Sequence, residues 1–181
     1  MSETAKSKNV HGTLEQTAEG WNLRFVRHLH HSPEKVWAAF TDPEQRAAWF
    51  PDTMIGEFVP GATLRFVTGT KSLSEFTGTV LAVDPGRLLE FTWGDDTLRF
   101  ELDPTETGCT LTLRDSLSEL GKAARDGAGW HVCLDGLAIA LGDRPAGSEE
   151  DRWRAVHPDY VATFGPEAAT IGPPADWAES Q

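Results

Sequence analysis

The sequence predicts an α+β fold: a curved antiparallel sheet of about six or seven strands wrapped around a long C-terminal helix, with two short helices after the first strand. Short runs of alternating apolar and polar residues fill the middle of the chain, and a period of two is typical of strands that bury one face. The segment GWHVCLDGLAIALG (129–142) follows these runs, and its apolar residues recur at steps of three and one instead. That spacing places them on one stripe of a helix, which can lie on the buried face of the sheet.

The first strand and the two short helices follow one another at the start of the predicted domain. In residues 21–30 the apolar side chains alternate along one strand, and Arg27 interrupts the pattern. Each helix then begins with a capping residue and a proline, Ser-Pro at 32–33 and Asp-Pro at 42–43. The side chain of Ser or Asp accepts a hydrogen bond from a free N–H group of the first helical turn, and proline suits the first helical position.

Five more strands are predicted along the middle of the chain, separated by Gly, Pro and Asp residues that form turns. Gly94-Asp95-Asp96 marks a hairpin, and the spacing of the other turns predicts an antiparallel meander. Gly78 either opens space beside the core or marks a bulge in its strand. The residues expected to face the core are Ala62, Leu64 and Phe66; Phe76, Gly78, Val80 and Ala82; Leu89, Phe91 and Trp93; Leu98, Phe100 and Leu102; Cys109, Leu111 and Leu113.

The long helix is predicted over about residues 126–141, and the composition changes after it. A linker precedes a short helix, which a His-Pro pair at 157–158 should interrupt before a second helical stretch. We therefore expect a flexible N-terminus over residues 1–20 and one domain over 21–143. A C-terminal extension with a short helix and an extended tail should follow over 144–181.

The composition excludes several classes of partner. A net charge of −12 disfavours nucleic acid and acidic membrane surfaces, because both require a basic face. No apolar run is long enough to span a membrane, and the first ten residues lack the apolar core of a secretion signal. We therefore expect a cytoplasmic protein whose two cysteines, Cys109 and Cys133, are buried thiols rather than a disulfide.

Three segments carry a resemblance to a known family: SPEKVWAAFTDPEQRAAWF (32–50), DPGRLLEFTW (84–93) and GWHVCLDGLA (129–138). In this order they resemble the START-like, or SRPBCC, superfamily with its helix-grip fold, and within it the family named for the activator of heat-shock-protein-90 ATPase. The resemblance covers about residues 25–142. It implies a cavity between the curved sheet and the long helix, in which many members are thought to hold hydrophobic or polycyclic small molecules.

The aromatic residues are the strongest functional candidates, because large rings around a curved sheet leave irregular space that a ligand can fill. Trp49, Phe50 and Pro51 fall where the short helices would border the mouth of the cavity, and Trp130 would close one end. We expect non-catalytic binding of a hydrophobic small molecule, of lipid or polycyclic aromatic type, without a cofactor. The residues predicted to bind it are Trp49, Phe50, Phe58, Phe66, Phe76, Phe91, Trp93, Phe100, Trp130, Leu134 and Leu137.

No catalytic or metal-binding residue is assigned from the sequence. His28 and His30 share one face of a strand, but no second cluster completes a metal site. His131 and Asp135 are expected to pair on the exposed side of the long helix, and the chain has no nucleophile motif to accompany them. Cys133 is expected to be a packed thiol. Most of the charged residues of the strands should face solvent, and no ionisable group is placed inside the cavity.

Two other functions stay open. The family takes its name from a co-chaperone, so a stress-linked protein-interaction domain is the first alternative. Some relatives in the superfamily are cyclases or hydrolases, so an enzyme of that type is the second, and it would need a polar group that faces into the cavity. The interaction domain would use the aromatic residues of the C-terminal extension: Trp153, Tyr160, Phe164 and Trp177.

Overall fold

A computed structural model describes residues 11–69 and 73–173 of the chain. Within these residues one sheet contains eight strands: β1 (Thr13–Thr17), β2 (Gly20–Leu29), β3 (Thr53–Ile55), β4 (Thr63–Thr68), β5 (Ser74–Asp84), β6 (Leu88–Trp93), β7 (Asp96–Thr105) and β8 (Gly108–Leu117). Every pair of neighbours is antiparallel, in the order β1-β2-β8-β7-β6-β5-β4-β3. The α+β prediction is confirmed, with eight strands rather than six or seven.

The two strands that the sequence did not predict, β1 and β3, form the two edges of the sheet. β1 lies inside the N-terminal segment that was expected to be flexible, residues 1–20, and it pairs with β2 from Thr13 opposite Arg24 to Thr17 opposite Gly20. Residues 1–10 of that segment lie outside the described part of the chain.

Four α-helices accompany the sheet within the described residues: α1 (Pro33–Thr41), α2 (Pro43–Ala47), α3 (Ala123–Ala140) and α4 (Glu149–Phe164). Both predicted caps are present, since the side chain of Ser32 accepts a hydrogen bond from the backbone N–H of Lys35 (3.2 Å) and that of Asp42 from Glu44 (2.9 Å). None of the helices in the described ranges combines the length and the apolar character needed to cross a membrane.

The long helix α3 begins earlier than the sequence predicted, at Ala123 rather than near Asp126. Its first turns bury Ala123, Ala124 and Ala128 in the core. Alanine has the best intrinsic helix propensity, but its small side chain adds little to an apolar stripe. A search for large apolar residues therefore places the start of this helix too late.

The C-terminal helix α4 is continuous, and the prediction of two stretches interrupted at His157-Pro158 is wrong. Pro158 has no N–H group for the carbonyl of Arg154, but both residues are exposed, so water can bind that carbonyl. Trp153 and Tyr160, on either side of the proline, are only 4% and 1% exposed. Their packing against α3 therefore holds both halves of the helix in line.

Tyr160 ties the C-terminal extension and the start of the described chain to the domain. Its hydroxyl accepts a hydrogen bond from the backbone N–H of Gly12 (2.8 Å) and shares another with Nδ1 of His131 on α3 (2.9 Å). A Cβ atom at Gly127 would lie 3.0 Å from Cδ1 of Tyr160, so glycine permits the close approach of the two helices. The described part of the extension thus packs on its own domain.

Aromatic rings fill the space between the sheet and α3. Phe66 stacks on Phe76 with 5.0 Å between ring centroids, and Phe91 stacks on Phe100 at 6.2 Å. The ring of Trp130 on α3 packs edge-on against Phe100, with 6.3 Å between ring centroids. These contacts determine how much room remains for a ligand.

Gly78 lies where β5 and β6 approach too closely for a side chain. A Cβ atom at this position would overlap the carbonyl oxygen of Thr92 on β6, so the glycine opens no space beside the core. The bulge in β5 lies further along the strand, between Val80 and Ala82. Close backbone approach is therefore the reason for glycine at this position.

We expect Gly78→Ala to lower the free energy of unfolding by about 1–3 kcal/mol or more, because the two strands must move apart to admit the methyl group. Urea denaturation measures the change. Thr77→Ala is the matched control, since Thr77 is the exposed neighbour on the same strand and its loss should stay within about 0.5 kcal/mol. Equal stability of Gly78→Ala and the wild type would contradict the close approach.

Candidate ligand-binding site

The space between the sheet and the two short helices, α1 and α2, has little room for a ligand. The void there has a volume of about 10 Å³, enough for roughly one water molecule. Phe58, Phe91 and Phe100 are among the residues that line it. Aromatic rings fill most of the space at this place in the core.

A larger cavity, of about 430 Å³, lies between the first half of α3 and one end of the sheet. Its walls come from the segment after α2, the ends of β4 and β6, the first half of α3 and the start of α4. The volume is typical of a small-molecule site. We call it the tryptophan cavity, because its largest lining residues are Trp49, Trp93, Trp130 and Trp153, together with Phe50.

The four tryptophans present ring carbon, not hydrogen-bond donors, to this cavity. Buried indole N–H groups require a partner, and each of the four finds one inside the protein. The acceptors are the carbonyl of Ala39 for Trp49 (2.8 Å), Oδ2 of Asp52 for Trp93 (2.8 Å), Oδ2 of Asp115 for Trp130 (2.9 Å) and the carbonyl of Arg125 for Trp153 (3.3 Å). A ligand therefore contacts apolar ring carbons, and hydrogen bonds inside the protein fix the orientation of each ring.

The residues predicted from the sequence to bind a ligand fall into three places. Those that line the tryptophan cavity are Trp49, Phe50, Trp93 and Trp130. Those that line the small void alone are Phe58, Phe91 and Phe100. Those that line neither space, and pack in or against the core, are Phe66, Phe76, Leu134 and Leu137.

Sequence reasoning missed several groups on the cavity wall. Trp153 and Glu149 come from α4, and nothing in the sequence indicated that this helix returns to the domain. Arg125 and Asp126 belong to the first turns of α3, part of which was taken for a loop. These four residues add the charged groups and the fourth indole ring to the wall.

The chain was compared with known families and structures. The sequence profile described as "Activator of Hsp90 ATPase homolog 1-like protein" matches residues 30–142. The chain belongs to this family. Its START-like fold is compatible with ligand binding. No curated protein matches the chain.

Several solved structures share the family's helix-grip fold over most of this chain. CalU16 from Micromonospora echinospora is 19% identical with a TM-score of 0.66, and the match covers 84% of this chain and 95% of that one. A conserved protein of unknown function from Enterococcus faecalis is 20% identical with a TM-score of 0.72, covering 88% and 93%. A protein from Bordetella parapertussis is 25% identical with a TM-score of 0.66, covering 77% and 84%.

In this family member the interior contains ionisable groups, so the expectation that no ionisable group lies inside is wrong. Asp96 and Asp115 are 2% and 0% exposed, and their carboxylate oxygens lie within 4.8 Å of each other and of Asp126. Nζ of Lys122 lies 2.6 Å from Asp96, and Nε of Arg125 lies 2.7 Å from Asp126. Burial raises the pKa of Asp115 well above its usual range, and the two neighbouring carboxylates raise it further.

This acidic cluster lies directly behind the tryptophan cavity. Asp126 lines the cavity, and burial raises the pKa of its carboxyl group. Asp115 accepts the indole N–H of Trp130, while its other oxygen, Oδ1, is buried and has no hydrogen-bond partner among the described residues. The carboxyl group of Asp52 likewise accepts the indole N–H of Trp93, and burial raises its pKa too.

His131 and Asp135 are buried beneath α4, so the expectation that they lie on the exposed side of α3 is wrong. They are 6% and 9% exposed, and Nε2 of His131 lies 3.9 Å from Oδ2 of Asp135. Arg144 also pairs with Asp135, at 2.7 Å. Burial lowers the pKa of His131 to about 3 and raises the pKa of Tyr160 to about 12, so both side chains are neutral near pH 7. They line neither space described above, and their contacts hold α4 on the domain.

The remaining residues that the sequence raised for chemistry have packing or surface roles. Cys133 lines the tryptophan cavity, but burial raises the pKa of its thiol, so the nucleophilic thiolate does not form near neutral pH. Cys109 is a buried free cysteine. Nδ1 of His28 forms a hydrogen bond with the hydroxyl of Thr110 (3.2 Å), and His31 pairs with Asp143.

Proposed function

We propose that the chain binds an apolar small molecule with aromatic rings in the tryptophan cavity, and that it does not convert this molecule. The observation that carries the proposal is a wall of four indole rings whose N–H groups already have partners inside the protein. A ring system that contacts such a wall removes apolar surface from water on both sides. Membership in a family whose fold is compatible with ligand binding supports the same proposal.

The polar groups of the wall favour binding over catalysis. A hydrolase needs an activated nucleophile beside a base. Cys133 is a thiol, not a thiolate, and Arg125 is paired with Asp126. No histidine is among the described lining residues, and the hydroxyl of Thr68 is hydrogen-bonded to the carboxyl group of Asp52, which also accepts the indole N–H of Trp93.

The alternative of a protein-interaction domain loses part of its basis. Of the aromatic residues expected to contact a partner, Trp153 and Tyr160 are buried against α3. Phe164 is partly buried and meets Tyr160 at 5.4 Å. Trp177 lies outside the described residues. An apolar ligand therefore remains the better-supported occupant of the site.

In an NMR titration that follows the seven Trp indole signals, we expect three-ring aromatics or flavonoids to give saturable shifts, with fatty acids as the comparison without rings. The shifts should be largest at Trp93 and Trp130, which line the cavity, and small at Trp21, which does not. Saturable binding that shifts Trp21 alone, or no binding by any compound in the panel, would refute the proposal.

Trp93→Ala should weaken binding of an aromatic ligand about tenfold or more, because a lost ring contact of about 1.4 kcal/mol corresponds to a factor of ten. Trp93 is half-buried, so its ring lines the cavity and contributes less to the core than a fully buried ring would. Trp21→Ala removes an equally large, half-buried ring away from the cavity and should leave the affinity unchanged. Equal losses in the two variants would place the ligand elsewhere.

A further inference from the structure

The charges on the wall of the tryptophan cavity are unbalanced. Asp126, Glu149 and Arg125 line it, and Arg125 donates from Nε to Oδ1 of Asp126 at 2.7 Å. Glu149, the first residue of α4, has no Lys, Arg or His partner within 4.0 Å in the part of the chain that the structure describes. One carboxylate on the wall is therefore left without a counter-charge.

The rings themselves favour a positive charge. The face of an indole ring carries negative electrostatic potential, and tryptophan is the strongest of the aromatic residues in attracting a cation. Trp93 and Trp130 are each hydrogen-bonded to a carboxyl group, that of Asp52 and that of Asp115, on the side away from the ligand. When these groups are ionised, their charge adds to the potential of the rings.

Positive neighbours compensate the buried carboxyl groups only in part. Burial raises the pKa of Asp52, Asp115 and Asp126, although Arg125 pairs with Asp126 and the charge of Lys122 opposes the rise at Asp115. Oδ1 of Asp115 has no hydrogen-bond partner among the described residues. A cation that enters the cavity would supply the missing compensation, whereas an anion would add to the repulsion.

We propose that the ligand of the tryptophan cavity carries a positive charge, as a protonated amine or a quaternary ammonium group attached to the apolar ring system. This inference rests on the proposed function and narrows it to one chemical class. The rings bind the apolar body and the cation, and the carboxylates of Glu149 and Asp126 select its charge. Fatty acids and other carboxylated ligands are disfavoured.

Three anthracenes that differ only in the group at carbon 9 test the charge directly. They are 9-(methylaminomethyl)anthracene, a cation at pH 7; 9-anthracenemethanol, which is neutral; and 9-anthracenecarboxylate, an anion. Quenching of tryptophan fluorescence in the full-length chain measures each affinity. We expect the cation to bind at least about tenfold more tightly than the neutral compound, and the anion to bind most weakly.

The charge variants connect that preference to named residues. Glu149→Gln should reduce the affinity for the cationic anthracene about three- to tenfold and leave the neutral one within about twofold, which also shows that the cavity is still folded. Glu150→Gln is the matched control, because Glu150 is the next residue on α4 and pairs with Arg154 instead of lining the cavity. It should change neither affinity.

The possible failures are distinguishable. Equal affinity for the cationic and neutral compounds, or tightest binding of the anion, would overturn the charge preference and leave the proposed function standing. A preference for the cation that Glu149→Gln and Asp126→Asn both leave intact would overturn the role of these carboxylates. No binding by any of the three anthracenes would count against the proposed function itself.

Discussion

Replacing Trp130 by alanine is expected to lower the free energy of unfolding by about 3–5 kcal/mol, the usual loss when a buried aromatic side chain is truncated. Trp130 is 2% exposed, and its ring lies 5.3 Å from that of Trp93 and 5.9 Å from that of Phe50. The change also removes the indole N–H group that donates a hydrogen bond to the fully buried Asp115. Urea denaturation followed by circular dichroism measures the loss.

Two further variants make this result specific. Trp37→Ala should cost clearly less, because Trp37 is only partly buried on α1 and does not line the cavity. Trp130→Phe keeps most of the ring and removes its N–H group, so it should cost about 1–3 kcal/mol, the penalty for an unsatisfied buried polar group. A loss below about 1 kcal/mol in Trp130→Ala would show that the ring does not support the core.

The second large effect is expected from Asp115→Asn, which should be more stable than the wild type at pH 8 and lose this advantage as the pH falls toward 4. Burial first, and then Asp96 and Asp126, raise the pKa of Asp115 in the folded state. Between the unfolded value, about 3.9, and that raised value the folded state holds a proton that the unfolded state has released. The stability of the wild type therefore decreases with rising pH in this interval, by up to about 1.4 kcal/mol per unit.

Asparagine reproduces the protonated acid without titrating. Its oxygen can still accept the N–H of Trp130, and its amide can donate to a neighbouring carboxylate. Urea denaturation of both proteins between pH 5 and 8 gives the difference in free energy at each pH. Asp103→Asn, at an exposed position of β7, is the control and should follow the wild type. If Asp115→Asn also follows the wild type, the carboxyl group of Asp115 does not titrate in this interval.

The alternation of apolar residues predicted the inner strands well, but it could not predict the edges. The exposure of β1 is nearly continuous along its length, with only Leu14 partly covered, so the strand has no apolar face to detect. β3 has three residues and buries Met54 alone. Such edge strands form because they make hydrogen bonds with a neighbouring strand. The local sequence pattern carries no information about which strand that is.

The buried charges, by contrast, could have been found from the same alternation. Asp115 continues the inward series of Leu111 and Leu113 on β8, and Asp96 begins the inward series of Leu98 on β7. The expectation that no ionisable group lies inside did not extend the period of two to these two positions. It failed because a neighbouring cation compensates Asp96, while burial favours the protonated form of Asp115.

Only part of the candidate site could be predicted from the sequence, for a different reason. Trp49, Phe50, Trp93 and Trp130 stood out as large rings near the ends of predicted elements. Trp153 lies on a helix with few apolar residues, and only the docked structure shows what its ring covers. Which rings surround open space, and which fill the core, depends on how tightly side chains pack, and a pattern of residue types does not specify that.

The match to the family ends at residue 142, yet Glu149 and Trp153 of the cavity wall lie beyond it. The family profile therefore matches most of the sheet and α3, while the helix that completes the proposed site lies outside the matched residues. Exchange of this one helix would reshape the cavity without disturbing the sheet. A relative with a different segment at this place would present a different wall to a ligand on the same sheet and long helix.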